Sequence, residues 1–177
     1  VIGSEEERQR RRYTLDVSKR ALIDLTKTEA TNLLARGEFA LSIPGALQSM
    51  KLTQDVHGND SIEIVPTYLL LAEANLGLKR LQAAEEFLSL ANWSVLKNPE
   101  CSNRIRSQLH RNFGKLYAAQ GKNPEALQQL SQDVYYASLE VGPEHVDTAG
   151  GYFQMANIFY SQNQIENSLA FYDKVVD

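Results

Sequence analysis

Small and larger apolar residues recur along this chain at fixed intervals. Ala30, Ala72, Gly114 and Ala156 stand 42 residues apart, and three positions after each comes Leu33, Asn75, Tyr117 or Phe159, apolar in all but the second copy. Twelve residues after each small position lies another, at Ser42, Ala84, Ala126 and Ser168, followed four further on by Ala46, Leu88, Leu130 and Tyr172. Spacings of three and four share a helix face. Two columns in one register therefore predict one helical hairpin per copy, with a first and a second helix that each carry a small residue where they cross. First helices are expected at 14–36, 61–78, 102–120 and 144–161, and second helices running to about 56, 97, 140 and 177.

The third copy carries the clearest turn grammar. Gly121 can take the left-handed conformation that closes the first helix, and Asn123 can cap the second with Pro124 at its first position and Glu125 near the positive helix end. Gly37 punctuates the first copy at the same point, while Lys79 and Asn163 replace the glycine in the others; asparagine tolerates that conformation better than lysine. This pattern resembles the tetratricopeptide (TPR) repeat. A minimal TPR has about 34 residues, so the longer period adds about eight, placed in longer helices and in the loop after the second helix. The turn-rich runs His57–Ser61 and Val141–His145 agree, with Gly58 aligned to Gly142 and Asn98–Ser102 in the slot between. Long repeats with this turn look like the kinesin-light-chain type. Pro66 and Gly150 sit at equivalent places near the start of first helices, where a late start or a kink is expected. The implied fold is all-α, a right-handed superhelical α-solenoid of about four TPR-like hairpins. Residues 1–13 form a charged helical extension and 14–177 the repeat domain, with copies at about 14–56, 57–98, 99–140 and 141–177, the last cut short. A start at Val1 and a stop at Asp177 inside a helical pattern are expected of a segment of a longer protein, whose open ends expose apolar faces near Val175 and Val176.

Composition narrows the function classes. The chain has 177 residues, 43% of them hydrophobic, enough for a sizeable core. Its longest apolar stretches, such as Val65–Ala72, fall far short of the roughly 20 residues of a membrane span, so a soluble cytoplasmic protein without membrane association is expected. The net charge of −4 argues against nucleic acid as a partner. Arg8, Arg10, Arg11 and Arg12 follow Glu5, Glu6 and Glu7, which reads as a solvated helix face with i,i+4 pairing. One cysteine, Cys101, and three scattered histidines, His57, His110 and His145, offer neither a disulfide framework nor a metal site, and the histidines lack triad partners. No cofactor fingerprint, phosphate loop or nucleophile elbow is present, so no catalytic residue is assigned and no enzyme is expected.

Several single residues stand out. Trp93 is expected in an inter-repeat layer. Of Tyr135 and Tyr136, one should pack and the other be displayed. Asp133 stands where the equivalent positions hold Ser49, Ala91 and Val175, so it needs a partner such as an arginine or tyrosine of a neighbouring helix, or a helix rotation that exposes it. Cys101 is expected to be inert in its loop, with Arg104 the one cation able to activate it. First helices of TPR modules line a concave groove, and here the groove positions are Lys27, Thr31, Leu69, Glu73, Arg111, Lys115, Phe153 and Asn157, a mixed surface suited to an amphipathic helix or an extended segment. A carboxylate clamp for chaperone tails is not matched, because Thr31 and Leu70 replace asparagines.

Beyond the repeat, the runs Ser4–Gln9, Ala46–Ser49, Val65–Pro66 with Tyr68–Ala74, Leu109–Asn112, and Gly150–Phe153 with Ala156–Tyr160 resemble the MYND-finger TPR proteins of motile cilia. The resemblance spans most of the chain. It implies a zinc-binding MYND finger before Val1, no zinc in this segment, and an axonemal subunit associated with inner dynein arms of cilia or flagella. The partners it implies are another ciliary TPR protein and inner-arm dynein components. A cargo or signalling adaptor of the kinesin-light-chain kind is the alternative, and an accessory domain of a MYND methyltransferase the alternative of another class.

Overall fold

The computed structural model describes residues 3–176. Among them every regular element is helical: α1 (Glu5–Ala35), α2 (Phe39–His57), a 3-10 turn (Ile62–Ile64), α3 (Val65–Gly77), α4 (Leu81–Lys97), α5 (Asn103–Ala119), α6 (Asn123–Val141), α7 (Val146–Ser161) and α8 (Ile165–Val176). The helices pack in neighbouring pairs, α1 on α2 through α7 on α8. The period recurs in the backbone, since both the last residues of the first helices and the first residues of the second helices fall 42 apart.

One turn sets this register four times. Gly37, Lys79, Gly121 and Asn163 all have positive φ, between 61° and 76°. In each turn the next residue sends its N–H five positions back: Glu38 to Leu33 O, Arg80 to Asn75 O, Lys122 to Tyr117 O and Gln164 to Phe159 O, all at 2.8–2.9 Å. This satisfies carbonyls that a helix end leaves unpaired. The same residue's carbonyl then accepts the first bond of the next helix, as Lys122 O does from Ala126 at 2.9 Å. Asn123 is therefore already helical and Lys122 is the capping residue, one position earlier than the sequence suggests.

The expected charged helical extension and the first helix of the repeats form one element. No break separates residues 5–13 from the first helix, because α1 runs unbroken for 31 residues. Ser4 and Glu7 close a reciprocal capping box at its start, and Glu5, Glu6 and Glu7 lie at its positive end. The arginines of this stretch are exposed, and the pairing seen is Arg8 with Glu5 at 3.7 Å, an i,i+3 contact in place of i,i+4. In the second hairpin Pro66 falls in the first turn of α3, behind the 3-10 turn, where its missing N–H costs nothing. Gly150 delays nothing, since α7 starts at Val146.

The buried side chains repeat with the turns. Ala30, Ala72 and Ala156 are fully buried and Gly114 is buried, as are Ser42, Ala84, Ala126 and Ser168 in the second column. The core is accordingly a chain of layers. One gathers Ala30, Ala46 and Leu71; the largest joins Tyr68, Leu76, Leu88 and Val95 to Leu109 and Leu116; the third holds Leu130, Met155 and Ile158. Met50 and Phe87 pack on both of the first two layers and link them. Successive first helices touch one another, α1 with α3, α3 with α5 and α5 with α7, whereas no two second helices do so among the described residues. The first helices thus form the tighter side of the stack. At its far end Leu169 and Val176 are exposed.

Lys79 tests the turn. A residue with a Cβ pays roughly 1–2 kcal/mol in the left-handed region, so Lys79→Gly should stabilise the protein by about 1 kcal/mol after the entropy of glycine is counted. Asn163→Gly should give less. Denaturant unfolding of both variants checks this, and a loss of stability in Lys79→Gly would refute the turn's role.

Candidate protein-docking groove

On the tight side of the stack, α1, α3 and α5 enclose an open groove of about 650 Å³. Six of the eight residues expected there line it: Lys27, Thr31, Leu69, Glu73, Arg111 and Lys115. They form two rungs of the 42-residue ladder, Lys27–Leu69–Arg111 and Thr31–Glu73–Lys115, which the stacking of first helices brings side by side. Phe153 and Asn157 continue those rungs on α7 but do not line the groove. Tyr172 of α8 takes both of them: its hydroxyl donates to Asn157 Oδ1 at 2.6 Å, and its ring lies 5.9 Å from that of Phe153. Tyr172 occupies the column that holds Ala46, Leu88 and Leu130, and only tyrosine there is long enough to reach the first helix's groove side.

The groove also draws in residues that reading single columns misses. Gln108 and Arg104 are exposed one and two turns before Arg111, and Thr28, Asn32, Leu70 and Ile105 also line the walls. Helical spacing from Arg111 could have found the first two. Its charges fall into two kinds. Lys115 is paired with Glu73 at 3.3 Å, linking α5 to α3, and Arg111 with Asp133. Lys27 and Arg104 have no carboxylate within 4.0 Å among the described residues.

Arg111 does more than line the groove. Its Nε meets Asp133 Oδ2 at 2.8 Å, and a second guanidinium nitrogen reaches Asp133 Oδ1 and the Asp147 carbonyl. Ser107 donates to Asp133 Oδ1 as well. Asp133 is fully buried on α6 and finds the arginine partner its burial demands, with α5, α6 and α7 joined through one side chain. Gly150 and Gly151 make the space for it. A Cβ on Gly150 would come within 2.8 Å of the guanidinium, and one on Gly151 within 2.7 Å of both Asp133 Oδ2 and a Val134 methyl.

Other expectations resolve locally. Trp93 is 57% exposed, contrary to the core position expected. It shares its column with Lys51 and Tyr135 on the outer face of the second helices, while Ala91 and Val95 fill the inter-repeat layer; the Lys97 ammonium sits 4.8 Å from its ring centre. Tyr135 is displayed and Tyr136 packs, stacked on His110 with 5.5 Å between ring centres. His110 also bonds Gln129 at 2.8 Å, His145 caps α7 by accepting from Asp147 N, and His57 ends α2. Cys101 is buried, and its cationic neighbour is Arg106 rather than Arg104. Burial raises the thiol pKa and outweighs the lowering by Arg106, so the thiolate is suppressed.

Among the described residues no group of three or more His, Cys, Asp or Glu side chains is placed to hold a metal ion. No helix is long and apolar enough to cross a membrane. The chain matches no protein-family model.

The two glycines of α7 separate packing from propensity. Gly151→Ala should destabilise by about 1–3 kcal/mol despite better helix propensity, because the atoms it meets are a buried, triply bonded carboxylate and a packed valine. Gly150→Ala meets the Arg111 guanidinium, which three hydrogen bonds hold but whose end shifts more readily than a buried carboxylate, so its cost should be smaller, about 1 kcal/mol. Equal effects in chemical denaturation would refute this account of the Gly-Gly pair.

Proposed function

We propose that this chain is a non-enzymatic docking scaffold, a TPR-type solenoid whose first-helix groove receives a segment of another protein. The observation that carries this reading is the open groove itself, in which three hairpins contribute side chains that no single hairpin could bring together. An open, elongated trough with mixed lining suits a chain of residues better than an enclosed small molecule.

The sequence runs that resemble the MYND-finger TPR proteins of motile cilia give the scaffold its setting: an axonemal subunit that docks partners in or near an inner dynein arm, with a second ciliary TPR protein among them. Those runs extend beyond the positions that the repeat columns fix, which is why they weigh more than the columns. The 42-residue period and its long loops favour a second reading, a cargo or signalling adaptor of the kinesin-light-chain kind. Both readings use the same groove and differ in where the protein resides.

Affinity purification of the full-length protein from ciliated cells, with mass spectrometry of what stays bound through moderate salt, distinguishes them. Recovery of inner-arm dynein and a second TPR subunit is the expected result. Recovery of kinesin, chaperones or a methyltransferase in their place would remove the axonemal proposal.

A further inference from the structure

At the N-terminal end of the stack the first helix leaves a whole side uncovered. Among the described residues α1 touches only α2 and α3. Its buried residues are Ile23 and Ala30, and Lys27, Thr31 and Leu34 turn to the groove. On the remaining side Leu15, Leu22 and Leu25 are 56%, 40% and 66% exposed. Single exposed leucines are ordinary on a protein surface, but these fall in one line. With Ser18 they follow steps of three, four and three residues, the a and d positions of a heptad. One step of four beyond either end the line meets a charge, Arg11 before it and Glu29 after it. Both are exposed, and neither has an oppositely charged partner within 4.0 Å among the described residues.

We infer that this stripe pairs with the same stripe of a second copy of the chain, the two α1 helices running antiparallel about a two-fold axis level with Arg20. Leu15 then faces the second copy's Leu25, Ser18 faces its Leu22 and Arg11 faces its Glu29, each contact made twice. Charge decides the direction. A parallel pair would set Arg11 against Arg11 and Glu29 against Glu29, whereas the antiparallel pair makes an Arg–Glu contact at each end and opposes the two helix dipoles. The register follows from covering all three leucines. Sliding one copy by a heptad sets Leu22 against Arg11 in one direction and Leu15 against Asn32 in the other. From Arg11 to Glu29 the stripe is about 27 Å long and about 10 Å wide. A contact of that size lies at the small end of specific interfaces, below about 1,200 Å², so a dissociation constant on the order of 10–100 µM is expected. None of the six residues lines the groove, so the dimer keeps both grooves open and does not depend on the docking reading.

Sedimentation velocity of the purified chain across about 5–300 µM, a range that brackets this constant, should show a monomer–dimer equilibrium. Leu22→Glu should weaken it by about tenfold or more. Arg11→Glu and Glu29→Arg should each weaken it about fivefold, because each sets like charges against one another at both ends. Combined in one chain, the two reversals restore the contact across the axis and should return the constant to within about twofold of the parent. All these positions are exposed, and circular dichroism checks that each variant keeps its helicity. Three results would each overturn the inference: a chain that stays monomeric throughout, a double reversal as weak as its two single effects combined, or a dimer indifferent to Leu22→Glu and broken by Leu169→Glu at the far end of the stack.

Discussion

Everything in this stack hangs on how closely the two helices of a hairpin approach at the small-residue columns. Ser168 illustrates the approach, its hydroxyl donating to the Ala156 carbonyl at 3.1 Å across α7 and α8. In the third hairpin Gly114 leaves so little room that an added Cβ would meet Leu130 at 2.7 Å. Backbones this near exclude any larger side chain at the crossing, and the four-residue offset then delivers Leu88 and Leu130 fully buried into the layers. Burying one leucine contributes about 1.5–3 kcal/mol. The left-handed turn keeps the crossing in register, since it fixes how many residues separate one small column from the other. Shift that count by one, and the small residue would leave the crossing.

The groove is a by-product of the same constraint. Because first helices touch their successors, while among the described residues second helices do not, side chains of three first helices come to line one groove. Charges placed there must either be neutralised or stay hydrated. Arg111 and Lys115 are neutralised within the stack and so hold neighbouring hairpins together, at the cost of being less free to meet a ligand. Lys27 and Arg104 remain partly or largely exposed and uncommitted. One surface thus carries two cations bound into the stack and two that remain in water.

How much of this could be read from the sequence follows from what repetition records. A periodic constraint leaves a periodic trace, so the crossings, the turn at Gly37 and its three equivalents, and six groove residues were legible as columns. Asp133 was legible as an anomaly in its column, but burial of charge asked only for a partner or for exposure, and the choice of Arg111 is set by the packing of α5 on α6. What failed were features that break the period or lie outside its contacts. Trp93 looks like core because tryptophan is large and apolar, but its helical angle relative to Ala91 and Val95 turns it outward, and a small error in that angle decides burial. Phe153 and Asn157 fit the columns, yet the one tyrosine at position 172 diverts them.

Gly150 and Gly151 show a dependence that crosses hairpins. Two adjacent glycines near the start of a helix lower its intrinsic propensity by about 2 kcal/mol relative to alanine, and no local turn requires them, since α7 continues through both. Their reason lies on α5 and α6, where Arg111 and Asp133 need the volume that two missing Cβ atoms leave. The ion pair offsets this only if its geometry is good, and three donors on a fully buried carboxylate meet that condition. A helix weakened by its own glycines is thus tied to the preceding hairpin through Arg111, which donates to the Asp147 carbonyl in its first turn.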